Sequence, residues 1–225
     1  MSQSVILRLK RGLIVSCQAP PGTPLHGPTF MSAMARAAEL GGAVGIRADG
    51  PEDIRAIKDA VRIPVIGIYK IRCPGCEPYI TPTLEAAKEI ADAGADIIAV
   101  DATLRPHPRN LSAGELIARI KTLGLPVMAD ISTLEEGSAA EEAGADIVAT
   151  TMSGYTPYSR QSDEPDFTLI EELARAVRVP VIAEGKIRTP EQARKAIDLG
   201  AYAVVVGTAI TMPSAVTERF VKALR

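Results

Sequence analysis

The chain has 225 residues, 47% hydrophobic and 23% charged, with a formal net charge of −2. That balance suits one globular domain over 1–225 with a large apolar core, and it offers no electrostatic basis for binding nucleic acid or an anionic membrane. No apolar run approaches the roughly 20 residues of a membrane-spanning helix, and the opening "MSQSVILRLKRGLIVSC" lacks the ordered regions of a signal peptide, so a cytoplasmic location is expected.

The first predicted element is a short strand, "GLIVSCQ" at 12–18, which ends in polar residues before a Pro/Gly loop. Beyond it the chain repeats itself in two interleaved sets. One set follows a glycine at the end of an Ala- and Glu-rich helical pattern: "GGAVGIRADG" at 41, "GADIIAVDAT" at 94, "GADIVATTMS" at 144 and "GAYAVVVGTA" at 200. The other carries Pro-Val after a short linker: "RIPVIGIYK" at 62, "GLPVMADIS" at 124 and "RVPVIAEGK" at 178. Together they predict strands near 43–46, 64–69, 97–101, 126–130, 146–150, 180–184 and 203–207. Helical patterns fill the gaps, several opening on a Thr cap, as in "TLEAAKEIADAG", "TLEEGSAAEEAG" and "TPEQARKAIDLG". Eight strand–helix pairs predict an α/β fold, a (βα)8 TIM barrel. An open doubly wound sheet would favour a glycine-rich fingerprint after its first strand, and "SCQAPPG" is not one.

The loop after the third strand contains "CPGC" at 73–76. With Cys17, these are the chain's three cysteines, too few for a disulfide framework, which fits a reducing compartment. No second Cys pair completes a zinc site, and the prolines around Cys73 and Cys76 argue against a redox helix, so the pair reads as incidental to a loop.

Active sites of such barrels lie at the C-terminal ends of the strands. Here those ends read Gln18, Arg47, Lys70, Asp101, Asp130, Thr151, Glu184 and Thr208, a ring of hydrogen-bonding groups suited to a small polar ligand. A lysine in such a ring, Lys70, has its charge disfavoured and becomes a candidate base or nucleophile. The plainer alternative is a salt bridge from Lys70 to Asp101 or Asp130, and sequence leaves both open. The loops after strands seven and eight, "AEGKIRTP" and "VVGTAITMP", place Gly185, Lys186, Gly207 and Thr208 where these barrels commonly hold a phosphate.

The blocks "GLIVSCQA", "PLHGPTFMSAMARAAELGGAVGIRA", "PVIGIYK", "YITPTLEAA", "DATLRP", "ADISTLEEG", "TTMSGYTPYS", "AEGKIRTPEQA" and "VVVGTAIT" run in order over nearly the whole chain. In them the sequence resembles the N-acetylmannosamine-6-phosphate 2-epimerases of bacterial sialic acid catabolism. The resemblance implies a (βα)8 TIM barrel of the ribulose-phosphate-binding type, commonly a homodimer, that interconverts N-acetylmannosamine 6-phosphate and N-acetylglucosamine 6-phosphate without an organic cofactor or a required metal. It also implies that Lys70 is the catalytic lysine, Glu184 its acidic partner, and Gln18, Arg47 and Asp130 sugar-binding residues. Asp130 would orient Lys70 or a hydroxyl. The expected partner is then a phosphorylated amino sugar, not nucleic acid or membrane. One position departs from the pattern: Met212 stands where that family more usually has arginine. The departure implies weaker phosphate dependence, replacement by Lys186 or Arg188, or a shifted substrate preference. Barrels of this type also include other phosphosugar isomerases and aldolases, and regulators that bind RNA in response to a metabolite; the latter would need a basic footprint that the charge balance does not supply.

Overall fold

The computed structural model describes residues 2–225. Eight parallel strands pair in chain order and close on themselves: β1 (Leu13–Cys17), β2 (Gly45–Asp49), β3 (Val65–Ile68), β4 (Ile97–Asp101), β5 (Val127–Asp130), β6 (Ile147–Ala149), β7 (Val181–Ala183) and β8 (Ala203–Val206). Helices α1 (Ser2–Leu7), α2 (Pro28–Leu40), α3 (Pro51–Ala60), α4 (Leu84–Asp92), α5 (Ala113–Lys121), α6 (Leu134–Glu142), α7 (Phe167–Ala176) and α8 (Pro190–Asp198) follow in order, with α9 (Thr208–Thr211) and α10 (Pro213–Ala223) after β8. The fold is the (βα)8 TIM barrel that the alternation predicts.

The two sequence repeats meet through a shared device. Gly94 and Gly144 take φ of 98° and 94° where α4 and α6 end, a conformation open to glycine at little steric cost. The aspartate two residues on then reaches back to the Pro-Val strand. Asp96 Oδ2 accepts the Val65 N–H at 2.8 Å and Lys58 Nζ at 2.7 Å. Asp146 Oδ2 likewise accepts the Val127 N–H at 2.8 Å and Lys121 Nζ at 2.7 Å. Each aspartate ties the start of one strand to the start of the next. Helix starts are fixed as the sequence reads: Thr133 with Glu136, and Thr189 with Gln192, form reciprocal capping boxes, and Thr83 accepts the Ala86 N–H.

Strand residues alternate between two cores. Outward residues such as Ile46, Ala48, Val65, Ile98, Val127 and Val148 pack under the helices with Ile54, Ile57, Ile90, Ile120 and Leu173. Inward residues Ile14, Ile66, Ile97, Met128, Ile147 and Ile182 fill the barrel, and Ile6 and Leu9 from the N-terminal segment join them. Full burial of each such side chain contributes about 1.5–3 kcal/mol. Gly45 faces Leu9 so closely that an added Cβ would lie 2.8 Å from Leu9 Cδ2.

β2 lies further along the chain than the expected 43–46. The Ala43 N–H still bonds to the Ala38 carbonyl of α2 at 3.0 Å, so the helix end holds this residue out of the strand. The strand therefore begins at Gly45 and carries Arg47 within it, opposite Ser16 of β1. This register points a cation into the barrel rather than leaving it in the following loop.

Candidate active site

A cavity of about 360 Å³ opens at the C-terminal ends of the strands. Gln18, Arg47, Lys70, Thr151, Glu184, Gly185, Lys186, Gly207 and Thr208 all line it. Asp130 does not reach its wall; it is fully buried beneath Arg47. Asp101 turns elsewhere, accepting the Thr103 hydroxyl at 2.7 Å and Arg105 Nη2 at 2.8 Å.

The floor of the cavity is an ion cluster. The Arg47 guanidinium, 1% exposed, donates from Nη1 and Nη2 to the two oxygens of Asp130 at 3.0 and 2.5 Å, and from Nη1 to Glu184 Oε2 at 2.9 Å. The Thr151 hydroxyl lies 2.7 Å from Asp130 Oδ1 and 3.2 Å from Glu184 Oε2, bridging the two carboxyl groups. Burial alone would lower the pKa of Arg47, but Asp130 and Glu184 reverse this and hold it above its ordinary value. Glu184 has the opposite problem. Its side chain is 14% exposed, and burial, then repulsion from Asp130, outweigh the attraction of Arg47 and raise its pKa from 4.5 to about 7. Its backbone is fixed by the Thr150 hydroxyl, which accepts the Glu184 N–H and donates to the Glu184 carbonyl at 2.8 Å.

Lys70 stands at the wall. Its N–H donates to Asp49 Oδ1 at 2.9 Å, and it pairs with Ile80 in an isolated antiparallel bridge, so its backbone is held from both sides. Lys70 Nζ donates to Gln18 Oε1 at 2.6 Å, while Gln18 Nε2 donates to Ser16 Oγ at 2.8 Å. The salt bridge to Asp101 or Asp130 is not formed; Asp130 orients Arg47 and Thr151 instead. Partial desolvation among the strand ends lowers the pKa of Lys70, with Arg47 adding to the effect and Asp49 opposing it. The side chain remains open to water through the mouth, which tempers the desolvation. A protonated lysine in this position exchanges its proton more readily than one in solution.

The far end of the cavity is made by the loops after β7 and β8. Gly185 takes a φ of 110°, and Gly207 precedes the first turn of α9 at Thr208. The Thr211 hydroxyl donates to the Ser16 carbonyl at 2.8 Å and pins α9 to β1. Lys186 Nζ donates to the Ser162 carbonyl and lies 5.0 Å from the centre of the Tyr155 ring. Met212 lines the rim, where its thioether offers no hydrogen-bond donor.

A family model described as "Putative N-acetylmannosamine-6-phosphate epimerase" (NanE) matches residues 31–225. This chain belongs to the NanE family. A relative from Caldanaerobacter subterraneus subsp. tengcongensis, named N-acetylmannosamine-6-phosphate 2-epimerase with the same qualifier, is 58% identical over 223 residues, covering 98% of this chain and 94% of its own. The solved structure of the N-acetylmannosamine-6-phosphate 2-epimerase from Clostridium perfringens matches with a TM-score of 0.94 at 49% identity, covering 97% of this chain and 95% of that chain. Thiamine phosphate pyrophosphorylase from Pyrococcus furiosus, at a TM-score of 0.61 and 18% identity, shares the barrel fold alone.

Several residues of this NanE-family site escaped the strand-end reading. Ser16 and Asp49 lie two residues from Gln18 and Arg47, and the period-two alternation of an inward strand face would have found both. Tyr79 and Tyr155 enter the cavity from long loops that carry no such period. Glu136 lies outside the cavity, yet its buried carboxylate accepts from the Ser132 hydroxyl, the Leu104 N–H and the Tyr158 hydroxyl at 2.7 Å each, joining three of the loops above the barrel. Cys73 and Cys76 are free thiols at the tip of the β3–α4 loop, with the Cys76 N–H donating to the Cys73 carbonyl at 3.1 Å.

Proposed function

We propose that this chain, acting as a single barrel domain over 1–225, interconverts N-acetylmannosamine 6-phosphate and N-acetylglucosamine 6-phosphate in sialic acid catabolism. Inversion at C2 requires a base to remove the proton beside the C1 aldehyde of the ring-opened sugar. The C2–H electrons pass into the carbonyl to give an enolate, and a proton returns to the other face. The observation that carries this reading is the pairing of Lys70, its pKa lowered, with Glu184, its pKa near 7, in one cavity that the glycine-bearing β7 and β8 loops also line.

In this scheme Lys70 takes the C2 proton as the neutral amine and becomes an ammonium, and Gln18, anchored by Ser16, fixes the direction of its Nζ. Burial and the nearby Asp130 raise the Glu184 carboxyl to about 7, so it gives and takes protons at sugar oxygens near neutral pH. Arg47 and Thr151 bind sugar oxygens and disperse negative charge on the enolate, and Asp130 positions both of them from below. Gly185, Gly207 and Thr208 offer backbone N–H groups to the phosphate, with Lys186 lending positive charge. Proton NMR of purified protein with N-acetylmannosamine 6-phosphate is the test, with accumulation of the gluco epimer expected. A sugar that binds but stays unchanged overturns the reading.

The same reading includes a cytoplasmic homodimer. The three free thiols fit a reducing compartment. No helix among the described residues is long and apolar enough to cross a membrane. The outer face of α10 supports self-association: Phe220 is 70% exposed, Leu224 just beyond the helix is 87% exposed, and no α10 residue is buried. Sedimentation should give twice the chain mass for the wild type and a shift toward the single-chain mass for Phe220→Asp; a monomeric wild type excludes the dimer.

A further inference from the structure

Four cationic side chains line the cavity: Arg47, Lys70, Lys186 and Arg188. Three are already engaged. Arg47 is shared between two carboxyl groups, Lys70 donates to Gln18, and Lys186 donates to the Ser162 carbonyl beside the Tyr155 ring. Arg188 differs from all of them. Its backbone N–H is held by Gln192 Oε1 at 2.7 Å, at the capping box that opens α8, while its guanidinium is exposed and makes no hydrogen bond or ion pair among the described residues. The backbone is thus fixed and the charged end is unclaimed.

A phosphate monoester at neutral pH carries close to two negative charges, which backbone N–H groups solvate but do not neutralise. The segment that follows β8 lines the same cavity with Gly207, Thr208, Thr211 and Met212, none of them cationic. Arginine presents a planar fork of donors that matches two phosphate oxygens. We infer that Arg188 supplies the positive charge that pairs with the substrate phosphate in this chain, and so sets its preference for phosphorylated over free amino sugar. The inference rests on the epimerase reading above and selects Arg188, not Lys186, as the principal charge partner. Lys186, held at the Ser162 carbonyl beside the Tyr155 ring, adds background positive charge while its own donors are engaged.

The test compares wild type, Arg188→Ala and Arg188→Lys on N-acetylmannosamine 6-phosphate and on N-acetylmannosamine. Losing one charged hydrogen-bonded pair predicts a rise of about tenfold or more in KM for the phosphorylated sugar, with kcat within about twofold. The preference for phosphorylated over free sugar should shrink by the same factor. Arg188→Lys should recover part of it, because it restores the charge without the fork. An unchanged KM, or equal weakening for both sugars, overturns the assignment. Calorimetric titration of the same proteins with N-acetylglucosamine 6-phosphate and with N-acetylglucosamine reads phosphate pairing without turnover. A wild type that binds the phosphorylated sugar more tightly, through Arg188, but does not epimerise it contradicts the epimerase reading and leaves the pairing standing. Equal affinities of wild type and Arg188→Ala for the phosphorylated sugar overturn the pairing itself.

Discussion

Along the inward faces of the strands, a step of two residues takes β1 from Ile14 to Ser16, β2 from Gly45 to Arg47 and β5 from Met128 to Asp130; β7 goes from Ile182 to Glu184 just past its end. The lower residues meet Leu9 and Ile6 in a sealed apolar plug, whereas the upper ones gather two carboxyl groups around one guanidinium. The lower half gains free energy from burial. The upper half gives some of it up, because charges taken out of water are only partly repaid by their pairing. One continuous sheet thus keeps its stability at one end and its reactivity at the other, and the strand register keeps the two aligned.

The sharpest way to break this comparison is to remove the cation. Arg47→Met leaves Asp130 and Glu184 buried without their partner, and should destabilise the protein by about 3–5 kcal/mol at neutral pH, read as a lower urea midpoint. The loss should shrink in acid, where the carboxyl groups protonate. A variant as stable as wild type at neutral pH means the cluster is not under electrostatic load.

Glu184→Gln acts in the opposite direction. The carboxyl of Glu184 has a pKa of about 7 in the folded chain against an ordinary 4.5, so between these values the folded state keeps a proton that the unfolded state has released. Stability from this group is full below about pH 4.5 and falls as pH rises toward 7, by about 3 kcal/mol in all. The glutamine variant lacks that slope. It should match or fall below wild type near pH 4.5 and gain relative to it by pH 8, while epimerisation drops; a stability difference that does not change with pH contradicts the raised pKa.

The lower half should answer differently. Gly45→Val brings a side chain against Leu9 and should cost about 1–3 kcal/mol of stability. With the polar half untouched, kcat should stay within about twofold. A large loss of turnover at unchanged stability shows that the two halves are not separable.

The apolar runs and helix caps made the barrel readable, because the strands bury their outward faces under helices and several helices, among them α4 and α6, run into a glycine at their C-terminal end. Less readable was anything the barrel closes over. Arg47 looked like a loop residue, since its partners Asp130 and Glu184 lie 83 and 137 positions away and only closure of the sheet brings them together. Asp101 looked like part of the ring, but Thr103 and Arg105, its near neighbours, draw it away from the cavity. Lys70 lies two residues past β3, and the contacts that hold it come from Asp49, Gln18 and Ile80, on three other segments. The plug formed by Ile6 and Leu9 had no signature beyond a few apolar residues, since the end of a short helix and the turn after it fill the barrel bottom by position and not by pattern.

The measurement that tests the central claim most directly is deuterium incorporation at C2 of N-acetylmannosamine 6-phosphate in deuterium oxide, for wild type and for Lys70→Ala, with the melting temperature of both recorded. The account predicts rapid loss of the C2 proton signal with wild type. In the folded variant, exchange should be slower by about a thousandfold. Exchange at the wild-type rate in Lys70→Ala would contradict it, since the C2 proton would then leave by way of another group.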